Sequence, residues 1–399
     1  MKWSWRVTAG QQIRLAVIAA LLSSTAFAAW PLPKDAPASD YADAGNWPND
    51  PGYAESYWEL SFTPPGVAAS EPVGNGFDRA WSVTRGQPST VIAVIGGAVS
   101  FADRDLVNRW ALSRGELPPP EDAQGNVSTG ADPHDRNADG RFNVQDFTSA
   151  TGAALPTPAN VVDPRLASRP DKGDVNGNGL IDPEDLIAVF ANGLDEDSNG
   201  AADDICGFDV EFGARDPSSP SADGGFDQTG LSALVSAQAN NGLGGIGACP
   251  DCSVLPLRVG AQDVVDPLAV ASAIRLAANS GAKVIIVGVQ TFGQSPLLES
   301  AAADALAKGA LVIAAPAPRS GVRTDSPADE PNILRSNALG PTSELWHAAT
   351  TFHSPQRGCG ESALAGIGVV SPDCTASAAV LGGAAGLLFS RATQLGVSL

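Results

Sequence analysis

Oxygen-bearing side chains recur at fixed intervals in two short segments of this 399-residue sequence. In the first, Asp135, Asn137, Asp139, Asn143 and Asp146 stand at positions 1, 3, 5, 9 and 12, with Gly140 at position 6 and the apolar Phe142 at position 8. In the second, Asp174, Asn176, Asn178, Asp182 and Asp185 repeat that layout around Gly179 and Ile181. Calcium needs six or more oxygen donors around one point. This spacing gathers them, with glycine at the sharp turn and a main-chain carbonyl at position 7, here that of Arg141 and of Leu180. Both segments read as calcium loops, with Ca2+ as the expected ligand. A third segment places Asp195, Asp197, Asn199 and Asp203 around Gly200 but has Cys206 at position 12, so it is incomplete. The competing reading is a set of Asp/Asn/Gly turns without metal.

The charge distribution agrees with a cation. The chain carries a net charge of −20, and the stretch from Asp132 to Asp227 alone holds 17 Asp and 3 Glu against 5 Arg and 1 Lys. A local acidic excess argues against nucleic acid and for divalent cations or a solvated acidic loop. At the N-terminus, Lys2, Arg6 and Arg14 precede an apolar Leu15 to Leu22 and the small-residue site Ala26-Phe27-Ala28. Residues 1–28 therefore read as a signal peptide, with an apolar run too short to span a membrane. The expected location is periplasmic, cell-envelope or secreted, and no other segment reads as transmembrane.

Export permits disulfides. Cys249-Pro250-Asp251-Cys252 is a loop disulfide, a zinc half-site or a redox motif by spacing. No second such pair or nearby His completes a zinc set, which favours a structural disulfide. Cys359 and Cys374 are the next expected pair, leaving Cys206.

The elements that must position these groups follow from periodicity. Residues 29–75 lack it and read as an extended arm. Val91 to Ile95 is a continuous apolar run ending in Gly96-Gly97, the signature of a buried parallel strand emptying into a loop. The chain from about 107 to 207 is loop-rich. After Gly230, helix patterns (231–239, 266–279, 297–308, 375–391) alternate with strand patterns (253–259, 284–289, 311–315). Such alternation implies an α/β fold with a mainly parallel sheet.

Several stretches, taken in order, carry a resemblance. They are Gly76 to Gly86 leading into the strand 91–95, Asp195 to Asp209, Asn240-Asn241 to Gly247, the Cys249–Cys252 loop with the strand after it, Ser280 to Ile286, Gly309 to Ala315, and Gly382 to Leu388. This ordered set resembles the secreted subtilisin-like serine peptidases over roughly residues 76–391. The resemblance implies a seven-stranded parallel sheet between helices, with the acidic segment as a calcium-binding insertion. Because both complete loops end in Asp, they resemble dockerin-type loops more than intracellular calcium sensors.

Family enzymes carry a catalytic Asp, His and Ser in that chain order. The Asp closes the first strand, where this sequence has Gly96. The His position, counted back from Asn240-Asn241, falls on Gln228. The Ser position, counted back from Gly383, falls on Thr375, with Ser377 the nearest serine. The oxyanion-hole Asn falls on Pro318, which has neither an amide side chain nor a backbone N–H. A hydroxyl without a neighbouring base is a poor nucleophile. The expectation is an exported calcium-binding homologue without peptidase activity, able to bind an extended peptide or protein ligand by strand pairing along Val284 to Gln290. The alternatives are an active calcium-dependent endopeptidase with non-standard residues, in which His134, His347 or His353 supplies the base, and a non-enzymatic calcium-binding envelope scaffold.

Overall fold

The computed structural model describes residues 30–65, 74–218, 228–315, 327–339, 367–370 and 374–399. Residues 1–28, expected as a signal peptide, and Pro318, His347, His353 and Cys359 lie outside the described residues. Nine strands run β1 (Val91–Gly96), β2 (Phe208–Asp209), β3 (Ser253–Arg258), β4 (Val264–Val265), β5 (Val284–Val287), β6 (Gln290–Thr291), β7 (Leu311–Ala314), β8 (Ile333–Leu339) and β9 (Ile367–Val370) among the described residues. Seven form one sheet in the order β2-β3-β1-β5-β7-β8-β9, and every pairing in it is parallel. β4 and β6 form a separate parallel pair.

Four helices cover this sheet: α1 (Thr229–Ser236), α2 (Pro267–Asn279), α3 (Pro296–Ala307) and α4 (Cys374–Gln394). Strand side chains alternate between two cores, as a period of two requires. Ile92, Val94, Val254, Val284 and Ile286 share one core with Leu231 and Val235 of α1 and Val380 and Leu381 of α4. Ala93, Ile95, Leu255, Ile285 and Val312 share the other with Val270 and Ile274 of α2 and Leu298 of α3. β1 is central and buried on both faces, which is why its sequence is a continuous apolar run rather than an alternating one. This is the α/β arrangement that the resemblance implies, a seven-stranded parallel sheet between helices.

The helix starts agree with the sequence signals. Asp266 caps α2 by accepting the Leu268 N–H at 2.8 Å, and Pro267 occupies its first turn. In α4 the glycines permit close packing. A Cβ on Gly386 would lie 2.6 Å from Ile92 Cδ1 and 3.2 Å from Cys252 Sγ. Cys249 and Cys252 form a disulfide with Cα atoms 5.4 Å apart, and Cys206 is a buried free thiol.

One expectation changes. Residues 29–75 are not an extended arm where they are described. Short helical turns at Ala38–Ala42, Ala44–Asn46 and Tyr57–Glu59 pack Tyr41, Tyr53, Trp58 and Leu60 out of water. Trp30 meets Trp81 edge-on at 5.6 Å, and Trp47 stacks on Phe62 at 5.7 Å. Large rings at irregular spacing bury without periodicity, so no period betrays them. The acidic insertion packs into the sheet's core. Its Phe142, Phe147, Leu166 and Leu186 belong to the same core as β1. Arg141 enters the protein and donates to the Asp251 carbonyl at 2.7 Å and to Ser253 Oγ at 2.9 Å, fastening the first loop to the start of β3.

Replacing Gly386 with valine is expected to destabilise the fold by about 1–3 kcal/mol through overpacking against Ile92 and the disulfide. Urea denaturation checks this, and an unchanged midpoint would contradict the described seat of α4.

Candidate functional site

The carboxyl ends of parallel strands are where open α/β sheets place their ligands and chemistry. Gly96 ends β1, with its carbonyl accepting the Val259 N–H at 2.9 Å. Gln228 immediately precedes α1, and its own N–H donates to the Ala98 carbonyl at 3.0 Å. This bond anchors the start of α1 to the loop after β1. The two positions are in contact: a Cβ built on Gly96 would lie 2.6 Å from Gln228 Oε1 and 3.0 Å from Gln228 Cβ. The glutamine thus fills the space that a strand-end side chain would need. Gln228 is fully buried, and neither its Oε1 nor its Nε2 has a hydrogen-bond partner. Leaving such an amide unpaired costs roughly 1–3 kcal/mol per group.

Thr375 reaches the same neighbourhood from the first turn of α4. Its methyl lies 3.9 Å from the Cβ position of Gly288, where Leu231 Cδ1 of α1 and the Ile95 carbonyl of β1 also converge. Gly288 follows β5 and donates to that carbonyl at 2.8 Å. The structure therefore brings Gly96, Gln228 and Thr375 to one end of the sheet, as the ordered motifs imply. Ser377, also in the first turn of α4, is buried and accepts the Ser336 hydroxyl of β8 at 2.6 Å. Ser336 carries no sequence signal of its own.

The only histidine among the described residues is His134. Its Nε2 lies 3.2 Å from the Leu117 carbonyl, its Nδ1 lies 3.6 Å from Asp132, and its ring packs edge-on against Phe142. It is a packed residue of the insertion. Asp105 is a half-buried carboxyl pushed up to about 7 by desolvation, although Asn241 Nδ2 donates to it at 2.8 Å. It supports the Asn240-Asn241 turn together with Asp50, which accepts both backbone N–H groups of that turn at 2.6 and 3.0 Å. Gly96, Gln228 and Thr375 supply no base that titrates near neutrality.

The strand expected to hold a peptide is changed. Both edges of β5 are occupied, by β1 and β7, so Val284 to Val287 cannot take another strand. Gln290 and Thr291 pair with Val264 and Val265 instead. An incoming strand would have to use an outer edge of that small pair.

The acidic loops share one backbone design. The position-1 carboxylates of Asp135, Asp174 and Asp195 each accept the N–H groups of positions 5 and 6, at 2.8 to 3.1 Å. Position-3 oxygens of Asn137, Asn176 and Asp197 accept the position-5 N–H. Position-5 oxygens of Asp139, Asn178 and Asn199 accept from Arg141, Leu180 and Ala201 at position 7. Positions 4 and 6 are left-handed in all three: Ala138 and Gly140, Gly177 and Gly179, Ser198 and Gly200. This winding turns successive side-chain oxygens toward the inside of one turn, a donor set of hard oxygens that fits Ca2+.

Asp146 and Asp185 close their loops in the same way. Asp146 accepts the N–H groups of Asn137 and Asn143 at 3.2 and 2.9 Å, and Asp185 those of Val175 and Asp182 at 2.7 and 2.9 Å. Asn143 and Asp182 at position 9 cap the helical turns that follow, accepting the Gln145 and Glu184 N–H groups. Asp203 departs from the expected pattern. Its carboxylate turns away to the Asn192 and Gly193 N–H groups, at 2.6 and 2.8 Å, and to Arg215 at 3.4 Å. The position-9 register fails there because the closing residue of that loop is Cys206, which the apolar core holds.

Burial pushes Asp146 and Asp185 up to about 7, with the neighbouring loop carboxylates adding to the effect. Without metal, the folded state therefore holds protons that the unfolded chain has released above pH ~4. Stability of the metal-free protein should fall as pH rises from about 4 to about 7. Calcium should reverse this by replacing the protons. Melting curves in chelator and in millimolar calcium, at about pH 5 and about pH 7.5, should show the larger calcium-induced rise at the higher pH. An equal rise at both would contradict the loop assignment.

A second prediction concerns the β1 end. Gly96→Ala should cost about 1–3 kcal/mol by driving a methyl into Gln228, and Gln228→Ala in the same chain should relieve most of that cost. Additive effects in denaturation of the double variant would contradict the contact.

The sequence matches no protein-family model, and it matches no curated protein. Among solved structures the chain is similar to the PatG macrocyclase in complex with peptide, at 17% identity and a TM-score of 0.41, covering 83% of this chain and 86% of that one. It is similar to the prenylagaramide maturation protease PagA at 16% identity and a TM-score of 0.38, covering 81% and 83%. Fervidolysin from Fervidobacterium pennivorans, a keratinolytic enzyme related to subtilisin, is similar at 13% identity and a TM-score of 0.45 over 82% of this chain and 38% of that one.

Proposed function

We propose that this chain is an exported, calcium-stabilised relative of the subtilisin-like peptidases that does not cleave peptide bonds. The observation that carries the reading is the buried Gln228 amide filling the space beside Gly96. In the family mechanism a base at this place takes the proton of the nucleophile, and a carboxylate orients it. An amide has no basic nitrogen near neutrality, and a glycine orients nothing. Loss of a triad nucleophile or base costs about 10⁶-fold in turnover. Thr375 has a hydroxyl but no described base beside it.

Calcium has a structural part in this reading. The loops would be held by Asp135, Asn137, Asp139, Asp146 and the Arg141 carbonyl, and by Asp174, Asn176, Asn178, Asp185 and the Leu180 carbonyl. Neutralising these carboxylates offsets a repulsion concentrated in one stretch of the chain, and Arg141 passes the constraint to β3. The apolar run at 15–22 and the site at 26–28 support export. Among the described residues no helix is long and apolar enough to cross a membrane. An extended peptide or protein remains the fitting class of ligand, through an outer edge of the β4–β6 pair.

Purified protein incubated with casein in millimolar calcium should release no fragments above the buffer control. Hydrolysis that a serine-directed phosphonate blocks, and that Thr375→Ala abolishes, would overturn the reading.

A further inference from the structure

The third acidic loop lacks a closing carboxylate in its own sequence, because Cys206 stands at position 12 and Asp203 faces elsewhere. The structure supplies one from a distant part of the chain. Glu116 Oε1 accepts the N–H groups of Glu196 and Asp197, positions 2 and 3 of the loop, at 3.0 and 3.3 Å. Its Oε2 accepts the N–H of Asp203, position 9, at 3.0 Å. Asp185 makes the same bonds in its loop: Val175 and Asn176 at positions 2 and 3, and Asp182 at position 9. Glu116 thus stands where the position-12 carboxylate stands in a complete loop, although it lies 80 residues before Glu196. Oxygens of Glu116, Asp195 and Asp197 all lie within 4.8 Å of one another.

Two further observations point to a cation rather than to a chance cluster. Asp204 is only 3% exposed, and its Oδ1 has no hydrogen-bond partner. Its Oδ2 accepts Asn199 Nδ2 at 2.9 Å, which aims the carboxylate at the position-5 residue of this loop. A buried carboxylate oxygen without a donor, beside three other carboxylates, lacks the positive partner that buried charges require. The approach of the Glu116 segment is also specifically accommodated. A Cβ on Gly115 would lie 2.3 Å from Asp197 Cβ, so a larger residue could not bring Glu116 to the loop.

We propose that the segment from Asp195 to Asp204 is a third Ca2+ site, completed by Glu116 from a distant part of the same chain. Its donors are the oxygens of Glu116, Asp195, Asp197 and Asn199, the Ala201 carbonyl, and Asp204 either directly or through water. Hard carboxylate and carbonyl oxygens in this number favour calcium over softer metals. The site joins the start of the loop-rich insertion, at Glu116, to its end, at Asp195 to Asp204. Residues 117–191, which hold the other two loops, are thereby clasped at their base. This deepens the calcium reading above, and a separate result distinguishes it from that reading.

Full-length protein stripped of metal and dialysed against millimolar calcium should bind three calcium ions per chain by elemental analysis. Glu116→Gln, and independently Asp204→Asn, should bind two, with far-UV circular dichroism unchanged. If Glu116→Gln fails to fold, the Asp204→Asn count decides. Wild type and variants that bind the same number overturn the third site, and two ions in each would leave the other two loops standing. No calcium bound by wild type would overturn both readings. Limited proteolysis supplies a second readout: chelator should expose the junctions near 116 and 192 in wild type, and Glu116→Gln should show that exposure in calcium.

Discussion

A single volume at the end of β1 cannot hold both a side chain at position 96 and the Gln228 side chain. That exclusion governs the sheet's functional end. With glycine at 96, the backbone of α1 can be tied to Ala98 and the glutamine can lie flat against the strand. A catalytic pair would need the opposite: a carboxylate projecting from the strand and an imidazole held off it. Side-chain packing rather than a polar network occupies this end of the sheet, and it leaves the Gln228 amide without a hydrogen-bond partner, a cost that the surrounding packing must offset.

The second constraint is charge. The molecule concentrates carboxylates in loops whose backbones are wound alike, and then buries several of them. Burial raises Asp146, Asp185 and Asp204 to about 7, which is the cost of assembling such a set without a counter-ion. Hydrogen bonds from the loop N–H groups offset part of it, but a divalent cation offsets more at one place. The insertion is then both an electrostatic load and, with calcium, a brace between the loop after β1 and the start of β3.

Much of this was legible in residues. The run 91–95, the helix cap at Asp266 and the Asp/Asn/Gly registers of two loops each express local physics, and each appears where that physics puts it. Gly96 and Gln228 were legible only through an ordered resemblance, because no local rule makes a glycine meet a glutamine more than a hundred residues away. β8 and β9 were missed: ILRSNAL, although paired on both sides, mixes polar and apolar residues without a period, and the edge strand IGVV is too short to show one. The arm's aromatic packing and the Glu116 closure were also illegible. Both depend on contacts between residues far apart in sequence, where spacing carries no information. Peptide pairing along Val284 to Gln290 failed as an expectation because strand patterning does not reveal which edges neighbours already occupy.

The central claim is that the functional end of the sheet holds no activated nucleophile. It is tested most directly by incubating the folded, calcium-loaded protein with a fluorophosphonate probe and weighing the intact chain by mass spectrometry. The account predicts an unshifted mass after prolonged exposure. A stoichiometric adduct on Thr375 or Ser377, lost when the protein is unfolded before labelling, would contradict it.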